Sequence, residues 1–327
     1  MPQPELIAVA PPEPTVRPGA KHRISDFLVG RLRKKHLKRY RVQDYQYRSV
    51  AGNGQPGSRV SLRLYRGETG QAAPLVVVLP IWGTFDYPTE KLAWKLRQHF
   101  GGRAHIAVLG GPNRLVQWQG IAAADSRDEL LRQAQLSAAH VDVTAEDIRA
   151  LFRWARAQPF VDPDSLLLVG FSISAIVGSV AAIREGPALL GTALVLGAGS
   201  PAQVMAYCNR IAGDSREAAM RKLGLTQAEY LAVMEEAFDP LDWVKQGVRA
   251  REPARYLLID AGRDDCMPAL ARDALWQGLG RPERYTLRGS HHGAFLSMTL
   301  VGLDYSNRRI IDFIERRLSV SGRSGLP

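Results

Sequence analysis

The most restrictive feature of this sequence is a serine placed where an apolar strand passes directly into a helix. Residues 165–169 have the unbroken apolar character of a central strand, and Gly170-Phe-Ser172-Ile-Ser174 follows at once and opens a helical segment. Gly170 allows the turn without a Cβ clash, and the small Ser174 and Ala175 allow close packing of helix on sheet. A serine on such a turn exposes its hydroxyl, so we interpret Ser172 as a candidate nucleophile. A structural N-cap serine would fit the same short pattern.

Two further elements follow downstream in an informative order. The apolar strand predicted at 255–260 runs into a loop with adjacent carboxylates, Asp264 and Asp265, and a later short strand is followed by His291 and His292. The order serine, aspartate, histidine, with each residue in a loop after a strand, differs from the orders found in chymotrypsin and subtilisin. It is the order of the α/β-hydrolases.

The sequence resembles the α/β-hydrolase superfamily over roughly residues 43–317. The resemblance implies an α/β fold with a mainly parallel sheet, flanking helices and an active site at the carboxyl ends of the strands. Strand and helix patterns alternate as this fold requires, and one of the helices is predicted at 143–157. The alternation is interrupted at about 201–248 by helical patterns alone, which we interpret as a helical cap insertion. Ser174, in place of the usual last glycine of Gly-x-Ser-x-Gly, departs from the family pattern.

The adjacent carboxylates and histidines leave the register of a catalytic triad open. We prefer Asp264 over Asp265 because Pro268 matches the spacing of the family pattern Asp-x-x-Val-Pro and fixes the start of the following helix. We prefer His291 over His292 because family loops place the histidine directly after a small residue. The resemblance implies that the acid orients the imidazole while the histidine accepts the serine proton. A solvated acidic loop and a surface histidine pair would be the non-catalytic alternative.

An oxyanion hole requires two backbone N–H donors, and the family takes one from the residue after the nucleophile. Here that residue is Ile173. The second donor follows the strand that precedes the first crossover helix, and the apolar run 74–79 is the candidate strand. The resemblance therefore assigns the second donor to Trp82, with Ile81 as the alternative, although the segment lacks a His-Gly-Gly-Gly motif.

Composition narrows the class of protein further. A chain of 327 residues with 46% hydrophobic content can bury a large core, and it contains no apolar run of membrane-spanning length. The two cysteines, Cys208 and Cys266, predict no disulfide framework and suit a reducing cytoplasm. The histidines are scattered without a His-Glu-x-x-His motif, and no phosphate-cradling glycine loop is present, so we expect no metal and no cofactor.

The amino-terminal region differs in composition from the rest. Residues 1–20 are Pro-rich and predict a disordered leader, and residues 21–42 form a basic arm. Residues 17–48 carry eleven lysines and arginines against two aspartates, which is most of the formal net charge of +11. Apolar residues of the arm follow one helical stripe: Ile24, Phe27, Leu28, Leu32 and Leu37. This composition favours contact with an anionic membrane surface, with a helix packed on the domain as the alternative. We do not expect nucleic acid as a partner, because no reading module accompanies the charge.

The residues of the predicted cap could line a substrate pocket or form the core of the cap itself. The large candidates are Met205, Tyr207, Met220, Tyr230 and Met234. Methionines and tyrosines at helical spacing more often form core than substrate wall. We expect residues 318–327 to be a flexible tail.

The sequence thus predicts a serine hydrolase that cleaves a carboxylic ester or thioester through an acyl-enzyme intermediate, with a small-molecule acyl compound as its substrate. Two alternatives remain: an amide or peptide hydrolase of the same fold, and a non-catalytic protein that uses the fold for binding. The expected location is the cytoplasm, with peripheral contact to a membrane through the basic arm.

Overall fold

The computed structural model describes most of the region that resembles the α/β-hydrolases. The residues described are 6–9, 40–49, 59–68, 70–80, 87–110, 115–209, 212–250, 252–299 and 305–320. Residues 21–39 of the basic arm lie outside them.

Nine strands of the described residues form one mixed sheet. They are β1 (Ile7–Val9), β2 (Tyr40–Arg48), β3 (Arg59–Gly67), β4 (Ala73–Val78), β5 (His105–Gly110), β6 (Val161–Phe171), β7 (Gly191–Val195), β8 (Tyr256–Ala261) and β9 (Glu283–Leu287). Their order across the sheet is β1-β2-β3-β5-β4-β6-β7-β8-β9. The pairs β1–β2, β2–β3 and β3–β5 are antiparallel, and every pair from β5 across to β9 is parallel. The predicted mainly parallel sheet is confirmed.

Helices cover both faces of this sheet. Those among the described residues are α1 (Tyr87–Phe100), α2 (Trp118–Ala123), α3 (Arg127–Arg156), α4 (Ile173–Glu185), α5 (Pro201–Tyr207), α6 (Gly213–Leu223), α7 (Gln227–Phe238), α8 (Ala269–Gly278), α9 (His291–Thr299) and α10 (Tyr305–Val320). Helices α1 and α10 pack on one face, and α3 and α4 pack on the other. None of the helices in the described part of the chain is long and apolar enough to cross a membrane.

Strand β6 is buried on both faces of the sheet, and its alternate residues pack against different helices. Leu166 and Leu168 pack with the helices α3 and α4, whereas Leu167 and Val169 pack with α1 and α10. Successive side chains of a strand point to opposite faces, so a strand buried on both sides must be apolar at every position. Full burial of each leucine contributes about 1.5–3 kcal/mol. The strand that carries Ser172 at its carboxyl end is therefore anchored from both faces.

Helix α3 begins well before the position predicted from the sequence. We expected a helix at 143–157, and the structure has it from Arg127 to Arg156. The Oγ of Ser126 caps the helix by accepting the N–H of Glu129 at 3.1 Å. The buried face of the missed half consists largely of small residues such as Ala134 and Ser137, which give a weak apolar signal.

The helical insertion predicted at about 201–248 is present between β7 and β8. Helices α5, α6 and α7 occupy it, and a capping box between Thr226 and Glu229 starts α7. The candidate wall residues have different positions. Met205 lines a cavity beside the candidate nucleophile, Tyr207 is 42% exposed, Met220 is half-buried, and Tyr230 and Met234 are buried in the core.

The ends of the domain differ from the prediction at a few residues. Within the expected disordered leader 1–20, Ile7–Val9 forms strand β1 and pairs with β2. Residues 40–42, counted as the end of the basic arm, belong to β2. Helix α10 continues to Val320, three residues into the expected tail 318–327. Strand pairing of the short segment at 7–9 depends on its neighbour β2, which composition alone does not reveal.

The expectation that the two cysteines form no disulfide is wrong. Cys208 and Cys266 are bonded to each other across a sequence separation of 58 residues. Cys208 follows α5 in the insertion and Cys266 follows β8, so the fold brings the two segments together. The number of residues between two cysteines does not indicate how close they lie in the folded protein.

Candidate active site

Ser172 lies on a sharp turn between β6 and α4. Its backbone has φ 53° and ψ −122°, a conformation that residues with a Cβ rarely adopt and that stores strain. Its N–H donates to the carbonyl of Val195 on the neighbouring strand at 2.8 Å. Such strained residues persist only where the surroundings fix them, and they concentrate at functional sites.

The departure from the Gly-x-Ser-x-Gly pattern has a structural explanation. The Oγ of Ser174 accepts the N–H of Phe171 at 3.2 Å and donates to the carbonyl of Phe171 at 2.8 Å. These two bonds join the side chain of Ser174 to the backbone of Phe171 and so stabilise the turn. Gly170 is required as expected, because a Cβ at this position would lie 2.7 Å from the carbonyl oxygen of Ser174.

His291 is the histidine that contacts the candidate nucleophile. Its Nε2 lies 2.9 Å from the Oγ of Ser172, and the ring is 4% exposed. The ring of Phe295 packs against it edge to face, with 5.2 Å between the centroids. The ring of His292 is exposed, with its centroid 6.1 Å from that of His291. His291 also begins helix α9, where the sequence had indicated only a loop.

Asp264 is the carboxylate that contacts this histidine. Its Oδ2 lies 2.9 Å and its Oδ1 3.0 Å from the Nδ1 of His291. The side chain of Asp264 is fully buried, and its Oδ1 accepts the N–H groups of Cys266 at 2.9 Å and Met267 at 2.7 Å. These bonds satisfy the carboxylate and fix its orientation toward the imidazole. The backbone carbonyl of Asp265 instead contacts the helical insertion, where it accepts the N–H of Asn209 at 3.0 Å.

Sequence reasoning missed Arg272 of α8. It stabilises the loop of residues 262–268 between β8 and α8, which carries Asp264 and is called the acid loop below. Its guanidinium is buried and donates to the carbonyl of Met267 at 3.0 Å and to that of Ala261 at 2.7 Å. These carbonyls flank Asp264 on either side, so one side chain ties both ends of the loop together. The only signal in the sequence is an arginine one turn into the helix that Pro268 starts, and a pattern of this kind does not reveal burial.

Ile173 is one of the two residues from which the sequence predicts an oxyanion donor. It is the first residue of α4, where backbone N–H groups have no acceptor within the helix and the helix dipole favours negative charge. Trp82 and its alternative Ile81 lie outside the described residues. The start of α1, which follows that segment, is fixed to β3 by two bonds. Glu90 accepts the guanidinium of Arg63 at 3.0 Å and the hydroxyl of Tyr65 at 2.7 Å.

A small apolar cavity adjoins Ser172. Its volume is about 50 Å³, and side chains from the body, the insertion and the acid loop line it: Trp118, Ile176, Met205, Cys208, Phe238 and Met267. A cavity of this kind suits an apolar group attached to the atom that the serine attacks. In the described part of the chain, no three side chains of His, Cys, Asp or Glu come together as a metal-binding cluster.

Comparison with solved structures shows the fold. The structure is similar to an acetyl xylan esterase from Paenibacillus sp. R4, with a TM-score of 0.60 and 14% identity over 97% of this chain and 89% of the esterase. It is also similar to acetyl xylan esterase 1 from Thermoanaerobacterium sp. JW/SL YS485, with a TM-score of 0.57 and 11% identity over 88% of this chain and 93% of the other. No protein-family model and no curated protein matches the sequence.

A third similar structure is a longer protein, an acylaminoacyl peptidase from Pyrococcus horikoshii. The TM-score is 0.56 and the identity 15%, over 88% of this chain and 43% of the peptidase. The chain thus spans less than half the length of that enzyme. With the order and direction of the strands, these likenesses establish that the chain has the α/β-hydrolase fold, as the sequence resemblance implied.

Proposed function

We propose that the protein is a serine hydrolase that cleaves a carboxylic ester or thioester through an acyl-enzyme intermediate. The observation that carries the proposal is the continuous contact from the Oγ of Ser172 to the imidazole of His291 and on to the carboxylate of Asp264. A nucleophile, a base and a group that orients the base are the parts that acyl transfer requires. The esterase activity in the names of two similar structures agrees with this reading.

Each residue has a defined task in the proposed reaction. The Oγ of Ser172 attacks the acyl carbon while the Nε2 of His291 accepts the serine proton. Asp264 holds the Nδ1–H of His291 and stabilises the imidazolium that forms. The N–H of Ile173 stabilises the developing oxyanion, with Trp82 or Ile81 as the proposed second donor.

The acyl-enzyme forms when the tetrahedral intermediate collapses. His291 then donates its proton to the departing alkoxide or thiolate, which leaves as alcohol or thiol, and the acyl group remains bonded to Ser172. In the second half of the reaction, His291 takes a proton from water, which attacks the same carbonyl, and returns that proton to the serine oxygen. In this proposal the acyl chain occupies the apolar cavity beside Ser172.

Amide or peptide cleavage is the second candidate, because the acylaminoacyl peptidase shares the fold. The same residues would act in it, but the leaving amine is poorer and requires protonation by His291 as it departs. Turnover of a p-nitrophenyl ester compared with the matching p-nitroanilide separates the two. We expect the ester to be the better substrate, and a preference for the anilide would contradict the assignment.

Ser172→Ala tests the proposal directly in the ester assay. The substitution removes only the hydroxyl and should abolish turnover and the acyl-enzyme burst with little loss of stability. Ser179→Ala is the matched control, since Ser179 is a buried serine of α4, the helix that follows Ser172, and its hydroxyl donates to the carbonyl of Ile176 at 2.8 Å. The control should retain turnover. A burst in the Ser172→Ala variant would contradict the nucleophile.

For the basic arm we propose contact with an anionic lipid surface. The support is compositional: eleven lysines and arginines fall within residues 17–48. Each basic residue near such a surface contributes about 1 kcal/mol, screened by salt. Replacing Lys34, Lys35, Lys38 and Arg39 with glutamine should weaken co-sedimentation with phosphatidylglycerol vesicles by more than about tenfold at low salt, without changing soluble-ester turnover. Equal sedimentation of both proteins would contradict the lipid contact.

The sequence predicts a cytoplasmic location, whereas the Cys208–Cys266 disulfide favours an oxidising compartment. Cytoplasmic thiols are kept reduced, whereas disulfides persist in oxidising compartments. Trapping of thiols in intact cells with an alkylating agent gives the test. Alkylated Cys208 and Cys266 would support the cytoplasm, and an unmodified, bonded pair would support an oxidising compartment.

A further inference from the structure

The Cys208–Cys266 disulfide joins the helical insertion to the loop that carries Asp264. Cys208 is the residue after α5, and Cys266 lies between β8 and α8. Both cysteines are buried, with 2% and 6% of their surface exposed. The bond therefore connects two segments that are distant in the sequence, at a point next to the candidate active site.

The same two cysteines form part of the wall of the cavity beside Ser172. Met205 of the insertion and Met267 of the acid loop lie next to them in that wall. The volume of about 50 Å³ is far below the roughly 300–1,000 Å³ of a typical ligand pocket. A cavity of this size accommodates an acyl chain of only a few carbons. Its depth depends on how closely the insertion is held against the acid loop.

On the insertion side, the end of α5 is fixed to the rest of the insertion. Arg216 of α6 donates to the carbonyls of Ala206 at 2.9 Å and Cys208 at 3.3 Å. Gln227 of α7 donates to the carbonyl of Ala206 at 2.7 Å. The end of α5, next to Cys208, is therefore hydrogen-bonded to both α6 and α7.

On the other side, the acid loop is held to the body independently of the disulfide. Arg272 bonds the carbonyls at both ends of the loop, and the imidazole of His291 contacts Asp264 within it. The bond from Asn209 to the carbonyl of Asp265 also spans the two segments, but it is a single backbone hydrogen bond. Helices α6 and α7 pack on α2 and α3 of the body whether or not the disulfide is closed. If the disulfide opens, the end of α5 around Cys208 is the part of the insertion that loses its covalent link to the acid loop.

We propose that the Cys208–Cys266 disulfide is a specificity-determining element that restricts the enzyme to short acyl chains. It holds the end of α5, with Met205, against the acid loop at the cavity, and its opening lets the end of α5 move away and admits longer chains. The inference rests on the proposed ester hydrolysis. Opening by a dithiol is a balanced exchange: the S–S bond breaks, both cysteines become thiols, and the dithiol is oxidised to its cyclic disulfide.

The test is the hydrolysis of p-nitrophenyl esters from acetate to octanoate by three forms of the full-length protein. These are the oxidised wild type, the wild type reduced with dithiothreitol, and the Cys208→Ala/Cys266→Ala variant. The mass of the alkylated protein reports the fraction of free thiols in each sample. The reduced wild type keeps both sulfur atoms but not the bond, so it separates the tether from the bulk of the side chains. Dithiothreitol added to the double variant controls for other effects of the reductant.

The oxidised wild type should prefer acetate or butyrate. In the reduced wild type and in the double variant, the ratio of kcat/KM for octanoate to that for acetate should rise by about tenfold or more, mainly through KM. In the reduced wild type the kcat for acetate should change by less than about threefold, because both cysteine side chains stay in the cavity wall and the contacts of Ser172, His291 and Asp264 remain. If the double variant does not fold, the reduced wild type carries the test.

Two results would overturn the inference while leaving ester hydrolysis intact. One is an unchanged chain-length profile on full reduction. The other is a profile that changes only in the double variant, which would assign the limit to side-chain bulk rather than to the tether. Absence of ester turnover in the oxidised wild type at every chain length would instead contradict the proposed function, and this inference with it.

Discussion

The Nε2 of His291 lies 2.9 Å from the Oγ of Ser172, although 119 residues separate the two in the sequence. The contact follows from the sheet. Strands β6, β7, β8 and β9 are neighbours and run parallel, so the segments that follow them meet at one edge. Ser172 follows β6, Asp264 follows β8 and His291 follows β9, and the fold thereby assembles three distant residues.

The contacts of the paired carboxylates and histidines predict which member of each pair matters. Asp264→Asn should lower kcat on a p-nitrophenyl ester by something on the order of 10²–10⁴, because the amide no longer holds the imidazole in the required tautomer. Asp265→Asn should cost about tenfold or less. Replacing His291 and His292 with alanine should show the same contrast. The reverse ranking in either pair would mean that the catalytic contacts differ from those observed.

Strain at Ser172 predicts an unusual order of stability for two variants. Ser172→Gly and Ser172→Ala both remove the hydroxyl, but only glycine adopts φ 53°, ψ −122° without a steric cost. The glycine variant should therefore have a free energy of unfolding higher than that of the alanine variant by about 1 kcal/mol, after the entropy that glycine adds to the unfolded chain is subtracted. Equilibrium urea unfolding measures the difference. A more stable alanine variant would show that the turn is not strained.

A buried ionic cluster around Arg63 predicts a large loss of stability. The guanidinium donates to Asp44 at 2.8 Å and to Glu90 at 3.0 Å, with all three side chains buried. Burial alone would lower the pKa of Arg63, but the bond to Asp44 and the charge of Glu90 raise it overall. Arg63→Met removes the guanidinium that pairs with both buried carboxylates and should cost about 3–5 kcal/mol in urea unfolding. Arg59→Met, on the exposed part of the same strand, is the control and should stay within about 0.5 kcal/mol of wild type.

His105 predicts part of the pH dependence of stability. Its Nδ1 accepts the N–H of Gly67 at 2.9 Å, and its Nε2 donates to the carbonyl of Phe160 at 2.8 Å, so the ring must be neutral. Burial lowers its pKa below the ordinary value of 6.5; the bond to Phe160 opposes this shift, and the charge of Arg66 adds to it. The unfolded chain therefore binds a proton more readily than the folded one. The stability contributed by neutral His105 is present above pH 6.5 and is lost as the pH falls toward its folded-state pKa.

The variant His105→Gln isolates this contribution. It should be less stable than wild type at pH 7, but its free energy of unfolding should fall less between pH 7 and pH 5. The difference in slope for one histidine is at most about 1.4 kcal/mol per pH unit. Urea unfolding at pH 7, 6 and 5 gives both slopes, and identical slopes would rule out a depressed pKa at His105.

Local signals account for what the sequence predicted correctly. The apolar run that ends at Gly170 and the run that ends before Asp264 mark central strands, because a strand buried on both faces has no polar positions. The turn residue Gly170 and the helix start after Pro268 then fix where the chemistry-bearing residues fall. These features act within a few residues of one another, so the fold and the order serine, aspartate, histidine could be anticipated.

Contacts between distant segments account for what was missed. The pairing of β1, the bond between Cys208 and Cys266, and the burial of Arg272 each depend on a partner far away in the chain. The choice of Asp264 over Asp265 rested on spacing, and only the side-chain orientation in the folded loop distinguishes their surroundings. Periodicity carries no information about such partners.

Covalent labelling by an alkyl fluorophosphonate tests the central claim most directly, because the reagent reacts only with an activated serine. Intact mass and peptide mapping should show one adduct on the wild type, at Ser172, and none on Ser172→Ala. Labelling of His291→Ala should be slower by about 10² or more, since the base is absent. A wild type that stays unlabelled, or an adduct that forms equally on Ser172→Ala, would contradict the assignment of Ser172 as the nucleophile.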